Sequence, residues 1–495
     1  MARQGRGRLG REALIYMIGM FLGRAASLIM LPVYTRLLAP ADYGLLQILD
    51  MTSDAVAILV SAGCIAGVMR FYFKADARRD RRAVLGSAIA LQIGLNLFGT
   101  LLLVLFADPI WQHVLHGAQS RSLVYLAAAN FTLGSVSTVP LILMQIEKRA
   151  FLFSAVSVAR LVIQLSGNIL FLVVLHWGPG GILLSSLIAN VVIGGGTATW
   201  MLRRTGFVVS RKALLDLRRF GLPYQLATLG TFIVTFGDRL FLDKFGGLAA
   251  VGLYGLAYQF GFLLEQVGIG PFVRAWTPRR FEYIREATAD RDAKNQQGFL
   301  YLNVIAFSCA AGIAVFVHPV LRVLADRDFW SSANLVPVIL AAYIVQGWVS
   351  VIELGIDISE KTKYASYGVW ASVVAVLVFY SLLIPRFGGI GAAWATLLGF
   401  LVRFFFHWRF SQRLCPLAYG WLPVLRLASY AVAVTLVSIY LRPAGVISEF
   451  AVGFGALALF ALAVWTTILR QEDRNAVLGF VADRKQAIVT RLAVA

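Results

Sequence analysis

The sequence predicts an all-α polytopic membrane protein of about 14 transmembrane helices, built as two six-helix lobes that are parallel repeats, plus two appended helices. Three observations carry this reading. The chain is 59% hydrophobic and only 14% charged, whereas a soluble globular domain is apolar at about 45–50% of its positions. Its apolar runs recur at about the 20-residue length that a helix needs to cross a bilayer. Its basic residues are distributed one-sidedly between successive loops.

In order, the predicted spans are 13–37, 43–69, 83–107, 122–145, 151–176, 180–202, 220–243, 248–273, 298–318, 333–356, 365–384, 389–409, 421–441 and 447–469. When the loops between them alternate sides, 33 of the 45 Lys and Arg residues fall on the side of the amino terminus and seven on the other. Cytoplasmic loops hold such an excess, so both termini are expected in the cytoplasm. The net charge of +20 is thereby topological, and no nucleic-acid partner is expected. The remaining five, Arg24, Arg160, Arg239, Arg403 and Arg426, lie inside spans.

The amino terminus, MARQGRGRLGRE, is basic, but the run after it is long and lacks an Ala-x-Ala exit, so it reads as a retained first span. The three cysteines, Cys64, Cys309 and Cys415, show no CxxC or Cys/His ligand spacing, which argues against a disulfide framework or a metal site. No loop has room for a soluble catalytic domain. Phosphate-loop, H-E-x-x-H and G-x-S-x-G motifs are absent from the sequence, so no cofactor and no enzymatic activity are expected.

An internal repeat sets the domain organisation. TRLLAPADYGLLQIL from Thr35 matches DKFGGLAAVGLYGLA from Asp243, and GPGGILLSSLIAN from Gly178 matches RFGGIGAAWATLL from Arg386. Both matches share one displacement, 208 residues. Six helices per repeat put both halves in the membrane in the same orientation. The expected domains are residues 1–205, residues 206–415, and residues 416–495 with the two appended helices and a cytoplasmic tail.

Arg24 would lie about 18 Å along the first span, near the bilayer midplane. A charge there costs at least about 2.5–3.5 kcal/mol and therefore faces protein, water or a charged ligand rather than lipid. Arg160 occupies a similar depth in the fifth span. Asp50 and Asp54 share one face of the second span at i, i+4, while Asp238 and Arg239 are adjacent and point about 100° apart. Pro32, Pro140, Pro271 and Pro337 fall inside spans, where they are expected to permit bending.

The stretches LPVYTRLLAPADYGLLQIL, GDRLFLDKFGGLAAVGLYGLAYQF, DISEKTKY and FGGIGAAWAT resemble the polysaccharide-transporter branch of the multidrug/oligosaccharidyl-lipid/polysaccharide exporter superfamily. Within that branch the nearest type is the Wzx-like lipid-linked oligosaccharide flippase, with MurJ-like lipid II flippases as relatives. The resemblance implies a two-lobed bundle whose central cavity opens alternately to either face of a bacterial inner membrane. Its substrate would be undecaprenyl-pyrophosphate-linked oligosaccharide, with membrane lipid around the prenyl tail and a polysaccharide polymerase and glycosyltransferases as functional partners. The alternatives are an ion-coupled multidrug/cation antiporter of the same superfamily, or a membrane enzyme acting on lipid-linked sugars.

A headgroup of this kind needs guanidinium donors to replace its hydration. Arg24, Arg160 and Arg239 are the expected pyrophosphate ligands of the cavity. Asp50, Asp54 and Asp238 are expected to couple an ion or to pair with these arginines. Glu265, Arg274, Glu353 and Asp357, toward the cytoplasmic ends of their helices, and Glu147, in the loop after the fourth, are expected to form an inner gate or simply to snorkel at the interface.

Overall fold

The computed structural model describes residues 30–475 except 61, 116, 118–119, 284–287 and 362. Among the described residues there is no strand, and eleven helices are long and apolar enough to cross a membrane. Their outward faces are apolar and their inward faces partly polar. On α3 (Arg78–Leu105), Leu97, Phe98, Leu101 and Leu105 are exposed, whereas Ser87, Gln92 and Asn96 are buried. Water would invert that arrangement; a hydrocarbon solvent favours it.

The chain divides into two compact units, Met1–Leu256 with Leu324–Ser331 and Val369–Gly399, and Ala257–Val323 with Ser332–Gly368 and Phe400–Ala495. In the first, residues 30–37 are helical and lead to α1 (Pro40–Val60), α2 (Ala62–Lys74), α3, α4 (Ser122–Ser135), α5 (Thr138–Ile146), α6 (Ala150–Asn168), α7 (Gly178–Thr205) and α8 (Arg211–Phe236). Val68, Leu85, Ala88, Ile89, Val139, Leu143, Met201 and Leu217 form a buried cluster in this unit. The linker after α7 is fastened to α3: the Ser87 hydroxyl donates to the Ser210 carbonyl at 3.3 Å and accepts from the Ser210 amide at 2.8 Å.

One helix is far too long for a bilayer if straight. The 52 residues of α11 (Lys363–Leu414) would extend about 78 Å against about 30 Å of hydrocarbon. The break is Gly388, with φ 54° and ψ −131°, a conformation closed to residues with a Cβ. Chain on either side of it folds back: the Tyr380 and Thr396 hydroxyls are 3.4 Å apart, and a Cβ at Gly399 would meet Val376 at 3.1 Å. Gly247, at φ 70° and ψ 178°, breaks α9 (Asp238–Leu264) likewise, so that the Tyr254 hydroxyl returns to donate to Asp238 at 2.6 Å. The loops expected near 244–247 and 385–388 are therefore single glycine turns.

In the second unit, α10 (Thr288–Leu324) begins ten residues before its predicted span, because the helix continues past the membrane as the polar turn Asp290–Lys294 that hydropathy cannot register. A further helix, α12 (Trp421–Tyr440), is followed by α13 (Val446–Thr467). Glu449 in the first turn of α13 is 6% exposed and receives Arg322 at 3.1 Å and the His318 ring at 2.5 Å. Substituting Glu449→Ala leaves the Arg322 guanidinium and the His318 ring without this partner and should destabilise the purified chain by about 1.5–3 kcal/mol, read as a lower Tm in detergent. An unchanged Tm would show that this contact does not hold α13.

The four prolines expected inside spans take different places, and Pro32 lies in the helical segment 30–37. Pro140 lies in the first turn of α5, Pro271 is the second residue of the Gly270–Tyr283 helix after a π-turn at Glu265–Ile269, and Pro337 is at the start of Val336–Ile352. At Pro140 and Pro337 the missing N–H falls in a first turn and costs no hydrogen bond, whereas Pro271 stands inside a helical run that continues from the π-turn.

Candidate functional site

A polar ladder crosses the first unit on α6. Arg160, Gln164 and Asn168 are spaced i, i+4, i+8 and so share one face. Arg160 Nη2 donates to Asn190 Oδ1 at 2.8 Å, Gln164 Nε2 to the Ser186 hydroxyl at 3.1 Å, and Asn168 Nδ2 to the Tyr34 hydroxyl at 2.6 Å. Asn190 and Ser186 are themselves four apart on α7, so two helices present matching polar rows. Asn190 is held in turn by Asn130 on α4 at 2.9 Å, and Asn130 by the Leu183 carbonyl at 2.8 Å.

Every partner in that ladder is neutral. Arg160 is half-buried within a predicted span, and among the described residues no carboxylate pairs with it. A guanidinium has five N–H donors, and Asn190 uses one. The charge and the remaining donors are left to water or to an anion.

A second polar row runs along α1, where Gln47, Asp50 and Asp54 follow one another on the helix surface. Both aspartates are exposed, and neither pairs with a described residue. Arg24, the other half of the expected anion-binding pair and their expected partner, lies outside the described residues.

Asp238 and Arg239 are placed differently. Both are buried in the α8–α9 hairpin, bridged to each other at 3.0 Å. Tyr254 and Thr396 donate to the Asp238 carboxylate at 2.6 and 3.3 Å, and Arg239 reaches the Thr235 carbonyl at 3.2 Å while lying over the Phe236 ring at 4.8 Å. At 1% exposure, Arg239 meets its own hairpin rather than an open cavity. The separation of about 100° anticipated for adjacent helical residues is bypassed, because Asp238 opens α9 after the break at Gly237.

The expected gate residues fall into local groups. Glu147 binds Arg149 at 2.8 Å and Arg204 at 3.5 Å in the first unit. In the second, Glu265 and Arg274 approach each other around Gly270, on either side of the π-turn. Glu353 faces Arg403 and His407, and Asp357 lies one turn further, exposed. Hydropathy gave no hint that Arg280 is buried: it donates to the Val351 carbonyl at 2.6 Å, to Asn295 at 3.3 Å and to the Tyr419 hydroxyl at 3.5 Å, and lies on the Trp276 ring at 4.5 Å. The signal that could have found it is its unusual company of Trp, Asn and Tyr in otherwise charged loops.

One contact in the first unit ties back to the repeat. A Cβ on Gly44 would collide with the Leu248 carbonyl oxygen, and a Cβ on Gly252 with the Pro40 carbonyl oxygen. Gly44 and Gly252, and likewise Pro40 and Leu248, are 208 positions apart, the displacement of the repeat. The crossing of α1 with α9 is thus reciprocal.

Helices with lipid-compatible outer faces and polar rows carried through their spans define a multi-pass membrane protein. The family model described as polysaccharide biosynthesis protein matches residues 9–284, more than half the chain, and the chain belongs to that family. An uncharacterized membrane protein of Methanocaldococcus jannaschii is 25% identical over 223 residues, 42% of this chain and 41% of that one; the chain thus spans under half the length of this curated relative. The fold is similar to lipid II flippase MurJ in an inward closed conformation, with a TM-score of 0.71, 12% identity, and coverage of 92% of this chain and 100% of that one. It is also similar to an inward-facing multidrug resistance MATE family transporter of the MOP superfamily, at TM-score 0.64 and 16% identity over 84% and 99% of the two chains. A MOP superfamily transporter from Pyrococcus furiosus, described as having a binding pocket of reverse polarity, gives 0.52 and 16% over 85% and 95%. The fold is that of MOP-superfamily flippases and transporters, as the sequence motifs implied.

Proposed function

We propose that this chain is an alternating-access flippase that moves a polyprenyl-pyrophosphate-linked oligosaccharide from the cytoplasmic to the periplasmic leaflet of a bacterial inner membrane, without catalysing a covalent step. The observation that carries this reading is Arg160: a guanidinium within a span, oriented by a neutral partner and lacking a carboxylate among the described residues. Such a group can accept a phosphate at the depth where its hydration must be replaced, and the planar fork can grip two oxygens. Arg24, on the same side of the repeat, would complete the phosphate site. Membership of a polysaccharide biosynthesis family supports a sugar-bearing substrate. The lobes 1–205 and 206–415, with 416–495 appended and both termini cytoplasmic, are the proposed frame. The reciprocal Gly44/Gly252 crossing favours it. Polysaccharide polymerase and glycosyltransferases would act after and before this step.

A second reading, an ion-coupled drug/cation antiporter, draws on the exposed carboxylates Asp50 and Asp54, which suit a cation better than a phosphate. Deletion of the gene separates the two. Accumulation of lipid-linked oligosaccharide and loss of surface polysaccharide are expected of the flippase, while normal polysaccharide with raised drug sensitivity would overturn it in favour of the antiporter.

A further inference from the structure

Inside the second unit, helix Val336–Ile358 and the returning half of α11 enclose a charged group that the phosphate site does not use. His407 is fully buried, and its Nδ1 lies 2.9 Å from the Arg403 carbonyl, which can only accept. The tautomer is therefore set: Nδ1 carries a hydrogen, and Nε2 presents a lone pair unless the ring is protonated. That Nε2 has no hydrogen-bond partner, and its nearest acid is Glu353, with Oε1 at 4.0 Å. A carboxylate and a bare imidazole lone pair both accept, so they cannot bond without a proton between them.

The surroundings match such a site. Arg403 is 9% exposed, its Nε and Nη1 have no hydrogen-bond partner, and Glu353 is the charged group that acts on it. The charged groups acting on Glu353 are Arg403 and Asp357; the one acting on His407 is Arg403. On the first half of α11, a Cβ at Gly368 would strike the imidazole Nδ1, so the ring is seated against a position without a side chain. Glu353 is 31% exposed while His407 is 0%, which gives the pair an accessible end and an enclosed one.

We propose that Glu353 and His407 form a binding site for one exchangeable proton, with Arg403 as the fixed counter-charge, and that this proton is the ion exchanged during transport. The site rests on the flippase reading only for that last step. With the proton absent, Glu353 is a carboxylate balanced by Arg403 and the imidazole is neutral. With it present, the proton sits on Glu353 Oε1 and is donated to Nε2, or sits on Nε2 and is donated to the carboxylate. Either arrangement closes the 4.0 Å gap by about 1 Å to reach hydrogen-bond length. It also leaves the cluster with one more positive charge, which loosens the hold of Glu353 on Arg403 and links proton binding to the packing of the two helices.

The test is a pH titration of the purified full-length chain in lipid nanodiscs, read by infrared difference spectroscopy. The wild type should gain a protonated-carboxyl band on acidification that disappears in Glu353→Gln and persists in Asp357→Asn. In His407→Gln its midpoint should move by at least one pH unit. Spectra of Glu353→Gln that superimpose on wild type, or an unshifted midpoint in His407→Gln, overturn the site. Isotope labelling of the histidines keeps the test independent of variants, because a wild-type imidazole signal must titrate together with the carboxyl band. If the band behaves as expected while gene deletion leaves surface polysaccharide normal, the proton site stands and the flippase reading falls. If deletion accumulates lipid-linked intermediate but the band ignores Glu353, the reverse holds.

Discussion

Arg160→Ala, present in the membrane at the wild-type level, should lower delivery of lipid-linked oligosaccharide at least about tenfold. The magnitude follows from a hydrogen bond to a charged group, about 1.5–3 kcal/mol, which converts at roughly 1.4 kcal/mol per factor of ten. Arg160→Lys should retain part of the activity, since an ammonium keeps the charge but loses the planar two-point grip. The sharper variant is Asn190→Asp. Its side chain is nearly isosteric, and Asn190 already lies 2.8 Å from the guanidinium, so the new carboxylate would occupy Arg160 with an internal anion. If Arg160 serves an anionic headgroup, Asn190→Asp should be as damaging as Arg160→Ala. If Arg160 only braces α6 against α7, the tighter pair should preserve or improve function. Wild-type flipping by Arg160→Ala in a complementation assay would remove the headgroup role altogether.

The second large effect is expected at the α1–α9 crossing. Gly44→Val and Gly252→Val each place a side chain against a backbone carbonyl that has no room to yield. Restoring ordinary contact at about 3.4 Å means separating the helices, and overpacking of this kind costs about 1–3 kcal/mol. The consequence should be a chain that folds with this crossing held apart and no longer cycles. Gln47 packs at Gly255 beside the crossing. A Gln47→Cys reporter should therefore label faster with a membrane-impermeant maleimide in the Gly44→Val background, alongside loss of transport. Unchanged labelling together with unchanged transport would mean that the crossing does not need to close. Equal effects at Gly44 and Gly252 are a further expectation, since the two positions make the same contact in opposite directions.

Much of the site was legible one residue at a time. That Arg160 stands inside a span, and that Gln164 and Asn168 lie on its face as an uncharged cluster, follows from helical spacing alone. Asn190 does not, because it is 30 residues away on another helix and nothing in its neighbourhood marks it. For Asp238 and Arg239 the sequence leaves coupling, phosphate binding and a salt-bridged helix end all open; burial of both within a hairpin, with Tyr254 and Thr396 on the carboxylate, favours the last. Glu353 was visible as an acid near a helix end, but His407 and Arg403 become its neighbours only because α11 folds back at Gly388.

By itself the sequence determined the helical class and the membrane location. These depend on the transfer free energy of each residue and on local spacing, which are properties of short windows of chain. Tertiary structure alone decided which charge meets which partner, that Gly247 and Gly388 are the whole of two turns, and that Gly44 and Gly252 pack reciprocally. Pairing of this kind depends on distances between segments far apart in the chain. A buried charge finds its balance in whatever group the fold brings to it.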